Sequence, residues 1–349
     1  MHPTRLTLPV PGPQSGALAS SGRRRWLRHS LALLGAAALA ASGLLPAPAL
    51  AQTPVQDGTL RLIVPFPAGG ITDAAARALA ERLGPALGQT VVVENRPGAG
   101  SRLGVQAVMQ AAPDGRTLLF TNTSYSILPI VEPASRLHPL TDLQPLGMTG
   151  RYGLFVAVQP QLPVKTLGEL VQHLRQHPGR VSYGSAGHGS GTHFAVAQLE
   201  SLTGTELNHV PYKSTAAALN DVAGGQVDLT LDAGAHVLAR SGKVRVLATT
   251  APRRSPLMPE VPTVAEAGLP GFTQSSWVGL FAPAATPAPV LARLRQALQR
   301  CQADPAMAPR LEALGLVPEP GDTATLQQAL KDDSALYRRI AREGRLQFD

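Results

Sequence analysis

From residue 59 onward, short β-rich apolar runs alternate with longer stretches whose apolar positions recur at helical spacing. Thr59–Pro65 reads as a strand, Phe66–Gly70 as a tight loop, and the chain from Thr72 as a helix with Ala76, Leu79, Ala80 and Leu83 on one face. Gln89–Glu94 reads as the next strand, Asn95–Gly100 as a loop, and Val105 and Val108 mark a second helix. Pro113-Asp114-Gly115 is a turn before a third strand, Thr117–Thr121. This β-α-β-α-β order, with right-handed crossovers, predicts a doubly wound unit.

A new apolar strand begins around Gly153–Val158, and Thr166-Leu167-Gly168-Glu169 has the form of a capping box opening a helix that His177-Pro178-Gly179 stops. Val181–Tyr183, a helix from Thr192 and Glu206–Val210 make a second β-α-β run. Ser214–Val222 reads as a helix, and Val227–Leu231 and Val244–Thr249 as strands. Trp277–Phe281 is a further strand. It leads into a helical tail whose first helix is expected to start at Thr286-Pro287 and whose last carries Leu326, Leu330, Leu336, Tyr337 and Ile340. The alternation predicts an α/β fold with mostly parallel sheets, and its length exceeds what one hydrophobic core usually organises.

The first residues change the compartment. Residues 1–51 carry five arginines and no acid, then the apolar run Leu31–Leu45, then Ala49-Leu50-Ala51. A basic segment, a short apolar segment and a small-x-small site form a secretory signal peptide, with cleavage expected before Gln52. The apolar run is short for a membrane anchor, the alternative reading. Arg23-Arg24-Arg25-Trp26-Leu27-Arg28 also fits a twin-arginine pattern, which leaves the export route open. The chain has 31 basic and 23 acidic residues; subtracting the five leader arginines leaves 26 against 23, a formal +3. That balance is no nucleic-acid footprint. The one cysteine, Cys301, lies on an apolar helical stripe and reads as a buried small hydrophobe.

In open α/β sheets ligands bind beyond the carboxyl ends of strands, where helix N-termini present free N–H groups and partial positive charge. Two Gly-rich loops have that position: Phe66–Asp73, and Tyr183–His193 with its serines and threonine. Asp73 reads as a complement to the first helix dipole. His188 and His193 lie beside glycines with no third ligand at metal spacing, so no metal site and no cofactor is expected. Gly98–Gly104 resembles a dinucleotide fingerprint only in outline, because Asn95-Arg96-Pro97 separates it from its strand and the following strand ends at Asn122 rather than an acid. Neither Ser185 nor Ser190 sits in a G-x-S-x-G frame. A secreted α/β enzyme is therefore the weaker class.

The ordered set Val64-Pro65-Phe66-Pro67-Ala68-Gly69-Gly70 with Thr72-Asp73, Val93–Gly100, Pro113–Leu119, Tyr183–Gly187 with Gly189-Ser190 and His193, Val210–Lys213, Gly224–Asp228 and Val261–Gly268 resembles the Bug-type extracytoplasmic solute receptors of tripartite tricarboxylate transporters. The resemblance implies a two-lobed Venus-flytrap fold of the periplasmic-binding-protein kind, with a ligand cleft between the lobes. After the signal peptide over 1–51, it implies the first lobe over 52–154, the second over 155–278, and a return to the first over 279–349. It also implies a monomer that binds a small carboxylate (a di- or tricarboxylate, acidic amino acid or aromatic acid), passes it to membrane permease subunits, and binds no nucleic acid.

Carried over residue by residue, the resemblance puts ligand contacts at Phe66, Ala68, Gly69, Gly70 and Thr72, and at Ser185, Gly189, Ser190, Gly191 and Thr192. Asn122 and Asp232 are added at the cleft edge. A carboxylate at Asp232 either selects against extra negative charge, pairs with a ligand amino group, or is an exposed strand-end side chain. Ser101-Arg102 and Ser214 depart from the family pattern, and Ile71 makes the first loop more apolar. A sensor for a two-component system is the alternative use of the same fold.

Overall fold

The computed structural model describes residues 58–272, 274–344 and 346. The expected leader, residues 1–51, lies outside them. The first elements are β1 (Thr59–Val64), α1 (Ile71–Leu87), β2 (Thr90–Asn95), α2 (Arg102–Met109), β3 (Thr117–Asn122), α3 (Ser124–Val131) and β4 (Leu143–Gly153). Then come β5 (Phe155–Val158), α4 (Leu167–Gln176), β6 (Ser182–Ser185), α5 (Gly191–Thr203), β7 (Asn208–Pro211), α6 (Thr215–Ala223), β8 (Leu229–Asp232), α7 (Ala235–Arg240) and β9 (Arg245–Thr249). The chain ends with β10 (Ser275–Pro283), α8 (Ala288–Ala303), α9 (Met307–Ala313), β11 (Val317–Gly321) and α10 (Thr323–Glu343).

These make two sheets, in the orders β11-β4-β10-β3-β1-β2 and β7-β6-β8-β5-β9. Helices cover both, the two-lobed α/β arrangement expected. Period-2 alternation divides β1 between the two faces of its sheet: Leu60, Leu62 and Val64 pack under α1 and α8, while Ile63 packs on the opposite side with α2, α3 and α10. The second sheet is covered by α4 and α5 on one face and by α6 and α7 on the other.

The expectation of mostly parallel sheets needs correction. β1 runs parallel to β2 and β3, and β6 parallel to β7 and β8. However, β10 is antiparallel to β3 and β4, β11 to β4, and β5 to β8 and β9. The reason is topological. β5 and β10 both arrive from the other sheet, so each starts at the edge where the parallel strands end: Phe155 pairs with Asp232, and Val278 with Asn122. β10 already pairs with β4 at Ser275, ahead of the return expected at 279.

The helix after the proline-rich segment is also entered differently from expectation. Pro287 holds the N-cap position of α8, while the Thr286 hydroxyl donates to Pro283 O (2.7 Å). Trp277 is fully buried, and Cys301 is a core residue whose thiol is pushed up to about 11 by burial. Among the described residues no helix is long and apolar enough to cross a membrane.

The passage from β4 to β5 is a single residue, Leu154. Its N–H donates to Thr250 Oγ1 and its carbonyl accepts Thr250 N–H, both at 2.8 Å. Gly153 lies against the other segment at this point: a Cβ there would overlap the Ala251 backbone, 2.7 Å from its Cα. Gly153→Ala is expected to cost roughly 1–3 kcal/mol through overpacking. Urea unfolding checks this, and a midpoint equal to wild type would show that the crossing segments relax freely.

Candidate functional site

The parallel strands of both sheets end at one cavity of about 700 Å³. Its wall includes Phe66, Ala68, Gly69, Gly70, Thr72, Asn122, Ser190, Gly191, Thr192 and Asp232, ten of the twelve expected site residues. Ser185 and Gly189 are not on it. Ser185 is fully buried, and its hydroxyl is used by Gly187 N–H (3.0 Å), Gly187 O (3.1 Å) and His209 Nε2 (2.6 Å). Gly189, at φ +70°, packs against Val131 and donates its N–H to His193 Nδ1 (3.0 Å). Both residues shape the second loop from behind.

The two principal loops are built differently. Gly70 is the N-cap residue of α1, in extended backbone and without a side-chain cap. The first N–H groups of a helix have no acceptor within it, so this end of α1 meets the cavity with unspent donors. At α5, Ser190 Oγ accepts His193 N–H (3.3 Å) and pairs with Thr192 Oγ1 (3.0 Å), which accepts Ala186 N–H (3.1 Å). The second loop thus satisfies much of its own polarity.

Asn122 ties the floor together. Its Nδ2 donates to Thr72 Oγ1 and to the Tyr152 hydroxyl, both at 3.0 Å, and its Oδ1 accepts Ser124 N–H (2.9 Å). Sequence reasoning missed Tyr152, Gln274, Ser276, His236 and Tyr337, which also line the cavity. They come from the end of β4, from the start of β10 and the residue before it, from α7 and from α10, and no local motif marks them. Among the described residues no lysine or arginine is on the wall; Asp232 is the one carboxylate there.

The expectation of no third histidine also needs correction. His209, on β7, is brought beside His188 and His193 because Tyr183 of β6 pairs with it in register, and ring nitrogens of the three lie within 4.8 Å of one another. The rings of His193 and His209 are stacked, with centroids 4.4 Å apart and planes 16° from parallel. Their in-plane lone pairs do not converge on one ion, and His193 Nδ1 already accepts Gly189 N–H. This donor set suits packing better than metal ligation.

A two-lobed solute receptor is the class that this fold and cleft define. A profile of the tripartite tricarboxylate transporter family receptor matches residues 75–346, and the chain belongs to that family. It is similar to protein BugT of Bordetella pertussis, 33% identical over 314 residues, covering 87% of this chain and 96% of that one. Among solved structures, the periplasmic binding protein BugD is 33% identical with a TM-score of 0.76, covering 83% and 99% of the two chains. MatC from Rhodopseudomonas palustris, solved with bound malate, is 32% identical with a TM-score of 0.73, covering 81% and 98%.

Burial, reinforced by neighbouring imidazoles, pushes both His193 and His209 down to about 4. Unfolded imidazoles take protons near 6.5, so the unfolded state binds more protons once pH falls below that value. Their contribution is complete above pH 6.5 and is lost as pH falls toward 4. Asp333, raised to about 6 by burial despite its bonds to Trp277 and Ser126, works in the opposite direction. His209→Asn is expected to reduce the proton uptake on unfolding between pH 6.5 and 4.5 by about one. Urea midpoints across that range measure it, and an unchanged slope would remove His209 from the titrating set.

Proposed function

We propose that this chain is a non-catalytic periplasmic receptor that captures a small carboxylate, as a monomer, and delivers it to the membrane subunits of a tripartite tricarboxylate-type transporter. The observation that carries the reading is the N-terminus of α1, uncapped by any side chain and open to the cavity at Gly70–Thr72. Free N–H groups and the helix dipole recognise a carboxylate without a formal cation. Malate in the related MatC is consistent with that chemistry.

The arrangement of serine and histidine argues against hydrolysis. Ser185 and His209 are at hydrogen-bond distance, but Ser185 is fully buried, off the cavity wall and held by Gly187. A nucleophile must be able to reach its substrate. Ser190, which does line the cavity, spends its oxygen on capping α5.

Gly70→Val tests the site with little risk to the fold. Gly70 has φ −75° and ψ 166°, a conformation that valine favours, and a Cβ there meets only Pro67 O at 3.8 Å. The added bulk stands before the α1 N–H groups. A matching carboxylate should raise the unfolding temperature of wild type by mass action, with about 2.7 kcal/mol of stabilisation at 100 Kd. The variant should unfold at the wild-type temperature and lose the shift at least tenfold in ligand concentration. A shift that survives would remove the first loop from the site. A blank with refolded wild type across mono-, di- and tricarboxylates, acidic amino acids and aromatic acids would overturn the carboxylate reading.

A further inference from the structure

The polar groups of the cavity are unevenly divided. Its first-lobe side offers donors at the α1 N-terminus. Gln274, the residue before β10, also lines the wall, but it is 5% exposed with its Nε2 fully buried, and its Oε1 accepts from the Tyr337 hydroxyl (3.2 Å).

The second-lobe side offers acceptors. Asp232 ends β8 and is 7% exposed, so it is not the solvated strand-end acid that the sequence also allowed. Oδ1 accepts Gly234 N–H at 2.7 Å; among the described residues no other hydrogen bond reaches the carboxylate and no ion pair includes it. His236, also on the wall, places Nδ1 against Ala233 O (3.3 Å). A carbonyl only accepts, so the proton is on Nδ1, and the other ring nitrogen of the neutral imidazole is an acceptor.

A buried carboxylate with no cationic partner is expensive unless a ligand supplies the cation. A plain dicarboxylate would instead bring a second anion into a cavity whose one formal charge is already negative, where attraction and repulsion are stronger than in water.

We infer that the solute bears a cationic nitrogen as well as a carboxylate, as an amino acid does, and that Asp232 selects it. The carboxylate takes the α1 N-terminus; the ammonium group takes the free oxygen of Asp232. This inference rests on the carboxylate-receptor reading and narrows it.

The test is calorimetric titration of refolded protein with matched pairs that differ by one ammonium group: succinate and aspartate, glutarate and glutamate, propionate and β-alanine, 4-methylbenzoate and 4-(aminomethyl)benzoate. The ammonium member of the best pair should bind at least tenfold more tightly. Asp232→Asn keeps an oxygen for Gly234 N–H, so the fold should persist; it should weaken the ammonium member at least tenfold and close the gap within the pair. A tightest ligand without nitrogen, or a preference unchanged in Asp232→Asn, would overturn the inference and leave the receptor reading standing. No binding by any member would overturn both.

Discussion

The geometry of the cleft depends on a carboxylate that is not on its wall. Asp73, in the first turn of α1, is 3% exposed and collects Gly69 N–H (2.9 Å), Arg77 Nε (3.0 Å) and Asn95 Nδ2 (2.9 Å). Asn95 in turn donates to Phe66 O (3.0 Å), so the end of β2, the loop after β1 and the first turns of α1 share one anchor. Burial alone would raise the pKa of Asp73, but Arg77, Gly69 N–H and Asn95 together outweigh it and hold it below the ordinary aspartate value. It therefore stays charged at neutral and mildly acidic pH. An aspartate in a helical first turn could have folded back to cap its own helix. Asp73 is instead committed to Gly69, which fixes the loop while α1 keeps its donors.

That commitment explains how the cavity handles charge. The negative charge of Asp73 is matched by Arg77 outside the cavity wall, so on the first-lobe side only the partial charges of α1 act inside. Neutral donors bind an anion less tightly than a buried guanidinium would, and removing the ligand leaves no unpaired buried cation behind. A receptor that must release what it captures gains from both. The second lobe is arranged differently: Ser190, Thr192 and Ser185 spend their hydroxyls on their own loop, and the charge that remains is Asp232.

Much of this was legible in the sequence where chemistry is local. The strand β1, the start of α5 close to Thr192, the capping threonine at Thr166 and the glycine loop before α1 each follow from neighbours along the chain. β4 was not legible, because Leu143–Gly153 lacks alternation and carries glycine where strands usually avoid it. Those glycines have a tertiary cause. A Cβ at Gly147 would be 2.6 Å from Gly321 O, and one at Gly150 would be 2.9 Å from Val317 O, so β11 can lie on β4 only where side chains are missing. The third histidine was hidden for a similar reason: β-pairing, not sequence spacing, sets His209 beside His193. A Gly-rich motif also does not say which way its residues face, which is why Ser185 and Gly189 were placed on the wall.

The same tertiary causes define what any rotation of one lobe against the other must respect. Leu154 and Thr250 exchange hydrogen bonds where the chain crosses, and Leu154 packs against the cores of both lobes. A third tie is made by α10, whose Tyr337 and Ile340 form one apolar cluster with Ile127 of α3 and with Phe194 and Ala197 of α5. Phe194 meets Tyr337 edge to face at 5.2 Å, and the Tyr337 hydroxyl holds Gln274 at the cavity wall. Movement at this joint and occupancy of the cavity therefore share a residue. Tyr337 itself lines the cavity, so a ligand packed against it bears on the ring that meets Phe194, which gives a physical route from solute to lobe geometry through a single side chain.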